Sequence, residues 1–331
     1  MPICHNNTSE LGVYCLMINI GIVGAGAIGE VHKETIRKNK NCELIAICDI
    51  SVEKAKTLAE GTKAKVYEDY KKMQEIEALD MVIINLPHFL HKEVSMFFLG
   101  NNIPVLLEKP MALTTEECNE MIGVSKESNT PFAVGHVQRY YDSYRKIKEI
   151  IQKNELGKLC QMIEIRNVDY FPGRPKWFLD KKLSGGGIVM NYGAHTLDKF
   201  SYITGLEVES VFAKGNNFLT QHNVESTAQM LLCFESGVTA MCSYCGNHVN
   251  SQYETYFYFT DGVIKVENGD SMWIATSNSP FKKVDLISTD IFSYQLDEFL
   301  KMISGEKSNI ATPEYSKKII SVLEEAIRQI G

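Results

Sequence analysis

Gly21-Ile22-Val23-Gly24-Ala25-Gly26-Ala27-Ile28-Gly29 sets three glycines in a G-x-G-x-x-G frame. An apolar run, 18–23, leads into it and an amphipathic stretch, 27–37, leads out. Strand, glycine turn and helix in that order are the setting a dinucleotide-binding loop requires. Gly24 permits the tight turn, Gly26 lets the backbone approach a pyrophosphate, and Gly29 lets the helix pack close to the strand. The first helical residues, Ala27 and Ile28, then offer free N–H groups and the positive end of the helix dipole to the phosphates. Asp49 follows at the end of the next apolar run, about 20 residues on, where a carboxylate accepts from ribose hydroxyls and repels a 2′-phosphate. That predicts NAD, with NADP disfavoured.

Outward from this loop, apolar runs at 18–23, 43–48, 64–66, 81–85, 104–107 and 132–134 alternate with helix-like stretches at 27–37, 52–59, 69–74, 91–99 and 116–126. Six strands separated by helices predict a parallel sheet covered on both faces. A helix at 138–152 then opens a second pattern. Strand-like runs at 161–170, 208–214, 226–234, 238–244, 252–260 and 263–266 carry hairpin turns such as Asp261-Gly262. A helix at 187–203 interrupts them, and helices at 294–303 and 313–329 follow. Thr312-Pro313 reads as an N-cap with proline in the first helical position. The pattern predicts an α/β N-terminal domain, residues 17–137, built on a parallel sheet, and an α+β C-terminal domain, residues 138–331, with a mainly antiparallel sheet. Residues 1–16 read as an N-terminal extension: either Met17 is the natural start or the first 16 residues are a dispensable arm.

Composition narrows the functions. The chain has 331 residues, 44% hydrophobic and 23% charged, with net charge −7. A mildly acidic surface repels phosphate backbones, so nucleic acid is not the expected partner. No apolar run reaches the roughly 20 residues of a membrane span. Nine scattered cysteines predict reduced thiols in a cytoplasmic protein. Cys242 and Cys245 lie three apart in a strand and so face opposite sides, which argues against a metal clip; no metal site is expected.

Leu107-Glu108-Lys109-Pro110, Trp177-Phe178, Gly185-Gly186-Gly187 and Asn191-Tyr192-Gly193-Ala194-His195-Thr196-Leu197-Asp198 together resemble the Gfo/Idh/MocA oxidoreductases, the family of glucose–fructose oxidoreductase and inositol dehydrogenase. The resemblance runs from Met17 to near the end. It implies that the N-terminal domain is a Rossmann domain and that the C-terminal sheet is open-faced, with hydride transfer between nicotinamide and a secondary alcohol or ketone of a sugar, cyclitol or related polyol. Carried over by position, Glu108 and Lys109 border the nicotinamide, with Lys109-Pro110 a candidate cis peptide. Leu86-Pro87-His88-Phe89-Leu90-His91 matches the family's Thr-Pro-Asn-x-x-His loop along the cofactor, with Leu86 and His88 in place of threonine and asparagine. Asn191 stands where many members carry aspartate, four residues before the catalytic histidine, a spacing that shares one helix face.

Lys109 follows a buried strand, so desolvation and a cationic ring beside it would lower its pKa and suit it to hold a developing alkoxide. His195 is the expected acid–base. His136, Arg139, Trp177 and Asp198 are candidate substrate residues. Tyr170, Phe171, Arg174 and Trp177 either line the pocket or form a domain-interface cluster, and Asp198 either binds substrate or holds a helix turn. Two other readings stay open: a non-catalytic NAD- or sugar-sensing regulator, and an NAD-dependent glycosidase. A homodimer or homotetramer is expected, because the sheet of the second domain leaves one face needing a partner.

Overall fold

The computed structural model describes residues 17–218 and 221–331. The expected N-terminal extension lies outside the described residues. The chain divides into two compact units. The first runs to Ala112, resumes at Glu116–Gly135 and takes in Phe292–Tyr315; the second comprises Leu113–Thr115, His136–Ile291 and Ser316–Gly331.

The first unit is built on six strands: β1 (Ile18–Val23), β2 (Cys42–Cys48), β3 (Lys65–Tyr67), β4 (Met81–Ile84), β5 (Val105–Glu108) and β6 (Phe132–Gly135). All neighbours are parallel, in the order β3-β2-β1-β4-β5-β6. β4 and β6 are buried along their whole length, which is why they read as unbroken apolar runs. Each large aliphatic side chain so buried contributes roughly 1.5–3 kcal/mol. Helices α1 (Ala27–Lys38), α2 (Val52–Ala59), α3 (Tyr70–Ile76), α4 (His91–Gly100) and α5 (Thr115–Glu127) alternate with the strands. Local signals set their starts: the Ser51 hydroxyl accepts from Lys54 N and the Asp69 carboxylate from Lys71 N. Between β1 and β4 the strand order reverses, and open α/β sheets bind ligands at such a switch point.

In the second unit a short turn, Val137–Tyr140, precedes α6 (Asp142–Gln152), where one continuous helix was expected. Tyr141, at ψ 136°, breaks it. β7 (Leu159–Asp169), α7 (Lys181–Ser184), α8 (Ala194–Thr204), β8 (Val208–Asn216), β9 (Thr227–Phe234), β10 (Thr239–Cys245), β11 (Asn247–Phe259), β12 (Gly262–Glu267), β13 (Ser271–Thr276) and β14 (Ser279–Val284) follow. The sheet has eight strands, in the order β14-β13-β12-β11-β7-β10-β9-β8. β13 and β14 add to the six expected. All pairs are antiparallel except β7 with β10, and β7, the first strand made, lies inside the sheet.

The inner face of this sheet carries a buried charge network. Lys199 of α8 and Glu164 of β7 pair with both side chains fully buried. Lys199 Nζ also donates to the hydroxyls of Tyr253 and Thr255, each at 3.2 Å. Thr196 donates to Glu164 at 2.5 Å and Tyr244 donates to Thr196 at 2.7 Å. Removing one partner from such a pair costs about 3–5 kcal/mol, because the other charge is stranded.

Helices α9 (Ile291–Ser304) and α10 (Pro313–Ile330) close the chain. Residues 292–315, expected with the second domain, pack with the first unit: Leu296, Phe299 and Ile310 are buried in the cluster that holds Ile20, Ile22 and Leu106. Thr312 caps α10 as expected, its hydroxyl accepting from Tyr315 N at 3.2 Å. Among the described residues no helix is long and apolar enough to cross a membrane.

Candidate active site

In the first unit the glycine loop adopts the geometry its sequence requires. Gly24 has φ +104°, and a Cβ there would lie 2.5 Å from the Asn85 carbonyl oxygen. A Cβ on Gly29 would meet the Gly24 carbonyl oxygen at 2.7 Å, so the head of α1 seats on the loop. Gly26 is different. Its backbone is extended, no side chain caps the helix it begins, and a Cβ there would find nothing within 4 Å. Ala27 and Ile28 follow it at the exposed head of α1.

Asp49 does more than its position at the end of β2 indicates. One carboxylate oxygen accepts from Ala25 N and the other from Ser51 N, both at 2.8 Å. It therefore fixes the glycine loop, and each oxygen keeps a second lone pair for a hydroxyl. In the segments that follow β1, β2 and β4 the unit exposes apolar side chains: Ile28 at 41%, Ile50 at 87% and Phe89 at 39%. Asn85, which the sequence reading did not single out, stands against Gly24 with both side-chain polar atoms buried and without a partner among the described residues. Such orphaned groups in a folded chain point to a missing ligand or water. An open glycine cradle, an anchored carboxylate, exposed apolar side chains after three of the strands and an orphaned amide together fit a dinucleotide.

Behind the cradle, Leu86, Pro87 and His88 connect β4 to α4, with His88 buried. His91 is fully buried, its Nδ1 lying 2.8 Å from the Pro110 carbonyl and its Nε2 2.8 Å from the Leu86 carbonyl. It ties the Leu86-Pro87 loop to the segment after β5. Burial holds its pKa below the ordinary histidine value, against the pull of the two carbonyls toward the charged form. The Lys109-Pro110 peptide is cis. Glu108 lies 3.1 Å from His32 Nε2 of α1, a partnership across 76 residues that no local pattern announces.

In the second unit the helix expected over 187–203 is not uniform. Val189–Gly193 forms a π-turn that runs into α8 at Ala194. A π-turn bonds i to i+5 and often marks a functional site. The simple i, i+4 relation between Asn191 and His195 is therefore altered by the wider turn. Asn191 is buried and hydrogen-bonds Tyr170, whose hydroxyl donates to the Gly187 carbonyl at 3.1 Å. Glu225 holds the start of this turn, accepting from Gly187 N at 2.8 Å and Val189 N at 2.9 Å. From Ala194 to Phe200 every residue is buried except His195, which is half-buried. His195 is thus the side chain that the first turns of α8 leave accessible.

The remaining candidates divide. Arg139 and Asp198 form a buried ion pair, with Nε 3.1 Å from a carboxylate oxygen, and the guanidinium lies 4.8 Å from the Tyr202 ring. That pairing gives each a structural partner. His136 is buried, while Trp177 is half-buried with its ring 4.7 Å from Phe178. Cys242 is buried and Cys245 half-buried on β10.

Two family models match the chain. One, an oxidoreductase family with an NAD-binding Rossmann fold, matches residues 18–136. The other, the Gfo/Idh/MocA C-terminal domain, matches residues 144–265. Among curated proteins, myo-inositol 2-dehydrogenase of Thermotoga maritima is 27% identical over 246 residues, 73% of this chain and 70% of that one. D-glucoside 3-dehydrogenase of Escherichia coli is 27% identical over 265 residues, 78% of this chain and 70% of that one. Levoglucosan dehydrogenase, solved with NADH and L-sorbose, superposes with a TM-score of 0.86 at 17% identity, covering 95% of this chain and 96% of that one.

Proposed function

The chain belongs to the Gfo/Idh/MocA family of NAD-binding oxidoreductases, and on that premise we propose that it transfers a hydride between NAD and a secondary alcohol or ketone of a sugar, cyclitol or related polyol. The observation that carries the reading is His195, left accessible on an otherwise buried helix turn in the Gly-x-His-x-x-Asp frame. The loop from Gly24 to Ile28, Asp49, and the Leu86-Pro87 and Glu108-Lys109 segments would hold NAD, which would supply the hydride acceptor. His195 takes the hydroxyl proton of the substrate and returns it in the reverse direction. Lys109 donates a hydrogen bond to the reacting oxygen and steadies its developing negative charge. Asn191 orients as a neutral amide and contributes no charge to the proton transfer. The namesakes among the relatives, an inositol dehydrogenase and a glucoside dehydrogenase, support the polyol class.

The test is NADH formation, followed at 340 nm, against a panel of sugars, cyclitols and sugar acids. Lys109→Ala and His195→Ala are each expected to lower kcat by about 100-fold or more. Full turnover by either variant on the true substrate would refute the assigned roles.

The nine scattered cysteines support residence in the reducing cytoplasm, and a chain recovered only from an oxidising compartment would overturn that reading. Self-association is supported by the outer face of the second unit's sheet. One cross-strand row runs Phe212, Leu231, Met241, Ile163, Tyr256, Lys265, Trp273 and Lys283. Phe212, Leu231 and Met241 in it are exposed at 62%, 43% and 41%. Sedimentation as a monomer at micromolar concentration would overturn self-association.

A further inference from the structure

In the second unit Lys199, Arg139, Arg166 and Arg174 lie near the candidate reacting residues, and the fold treats them in two ways. Lys199 and Arg139 are buried and each is matched by a carboxylate, Glu164 and Asp198. Arg166 and Arg174 have no carboxylate within 4.0 Å among the described residues. Arg166 stands on the inner face of β7, in register with Tyr244 of β10 and Tyr253 of β11. Its guanidinium lies 3.9 Å from the Tyr192 ring and 4.3 Å from the Tyr253 ring. Its Nε and Nη1 are buried and have no acceptor among the described residues. Arg174 packs over the rings of Tyr170 and Phe178, at 4.2 and 4.6 Å, and its Nε donates to the Tyr170 carbonyl at 2.7 Å. Its Nη2 reaches the Tyr192 hydroxyl at 3.4 Å.

Both guanidiniums therefore meet at Tyr192, the residue after Asn191 and three before His195. Asn191 is neutral, so the π-turn itself presents no carboxylate there. Aromatic rings attract a cation through their faces but accept none of its in-plane N–H bonds. A buried guanidinium N–H without an acceptor is costly, and a fold tolerates it where a ligand supplies the acceptor. Rigid, aromatic-stacked arginines are the side chains suited to planar oxyanions.

We propose that Arg166 and Arg174 form an anion subsite around Tyr192, and that the substrate is a polyol bearing an acidic group, a carboxylate or a phosphate. This rests on the reading of His195 as the acid–base and narrows the substrate class of that same site. The shared chemistry is an oxyanion set on a carbon chain that also carries the secondary alcohol to be oxidised. The two anionic sources are separated by assay, with glucuronate and gluconate in one arm and glucose 6-phosphate in the other. The neutral arm is glucose and myo-inositol.

The experiment measures binding and turnover on the full chain with NAD present. Binding is read by calorimetric titration of each probe and turnover by NADH formation. At least one acidic arm is expected to bind about 10- to 100-fold more tightly than the neutral arm. Raising the salt concentration is expected to weaken the acidic arm selectively. Arg166→Met and Arg174→Met are each expected to raise KM for the acidic substrate by about 10-fold or more, with kcat less affected. Thermal melts distinguish this from misfolding, since a purely structural role lowers stability and both kinetic constants. If no acidic probe binds, or if neutral polyols bind and turn over as well as acidic ones in both parent and variants, the anion subsite is overturned. If the first unit's dehydrogenase reading fails instead, an acidic probe binds, Arg166→Met abolishes that binding, and no NADH forms.

Discussion

Alanine at Gly26 separates nucleotide binding from folding. Gly26 has φ −85° and ψ −172°, a conformation open to any residue, and its added methyl would touch nothing within 4 Å. The folded unit should register the change by no more than about 0.5 kcal/mol, with a small gain because alanine restricts the unfolded chain. The methyl instead occupies the approach to the N–H groups at the head of α1. Losing one or two charge-assisted hydrogen bonds of roughly 1.5–3 kcal/mol each, partly offset by a shift of the ligand, weakens NAD by about 2–4 kcal/mol. That is roughly 30- to 1000-fold in Kd. Gly29→Ala is the counterpart: its methyl meets the Gly24 carbonyl oxygen at 2.7 Å and a Leu58 methyl at 3.3 Å. Overpacking there should cost about 1–3 kcal/mol of stability and disturb the loop as well. Calorimetric titration with NAD, paired with melting of the unliganded chain, reads both quantities. If Gly26→Ala binds NAD within about threefold of the parent, or melts as low as Gly29→Ala, the assignment of this cradle is wrong.

Two further outcomes follow from the second unit. Asp198→Asn strands the buried Arg139 guanidinium and should lower unfolding free energy by about 3–5 kcal/mol in urea titration; a loss under 1 kcal/mol with a raised KM would instead give Asp198 to the substrate. Burial raises the Glu225 pKa above its ordinary 4.5 despite its two backbone N–H partners. The folded chain thus keeps a proton there that the unfolded chain has released, so stability falls as pH rises from 4.5 through the raised value and is level above it. Glu225→Gln keeps an oxygen for Gly187 and Val189 N–H and should flatten that fall; melts from about pH 4 to 8 with an unchanged slope would refute it.

The parallel sheet was legible because fully covered strands must be apolar throughout, as β4 and β6 are. The glycine loop was legible because each glycine answers a separate steric demand. β14 was not: its Ser-Pro-Phe-Lys-Lys-Val lacks alternation, as an exposed edge strand with two lysines and a proline does. The π-turn escaped notice because its apolar residues satisfy a helical period as well. Arg166 shares its strand face with buried Met162 and Glu164, and that parity was the available signal. The Arg139–Asp198 and His32–Glu108 pairs join residues 59 and 76 positions apart, which no local pattern relates. The same holds for α9, whose apolar face fits either unit by sequence and is placed by packing.

The position of β7 imposes a timetable on synthesis. It is made first in its sheet, yet its neighbours on either side are β10 and β11, which begin at Thr239 and Asn247. After Asp169 leaves the ribosome, about 70 more residues must be translated before either neighbour starts to emerge, some 4–14 s at ordinary elongation rates. Throughout that interval both long edges of β7 keep their backbone groups unpaired, and its faces carry the apolar Met162, Ile163 and Ile165. The nascent chain is exposed to misjoining there, and a chaperone that shields extended apolar segments would find a target in this strand until β10 and β11 arrive.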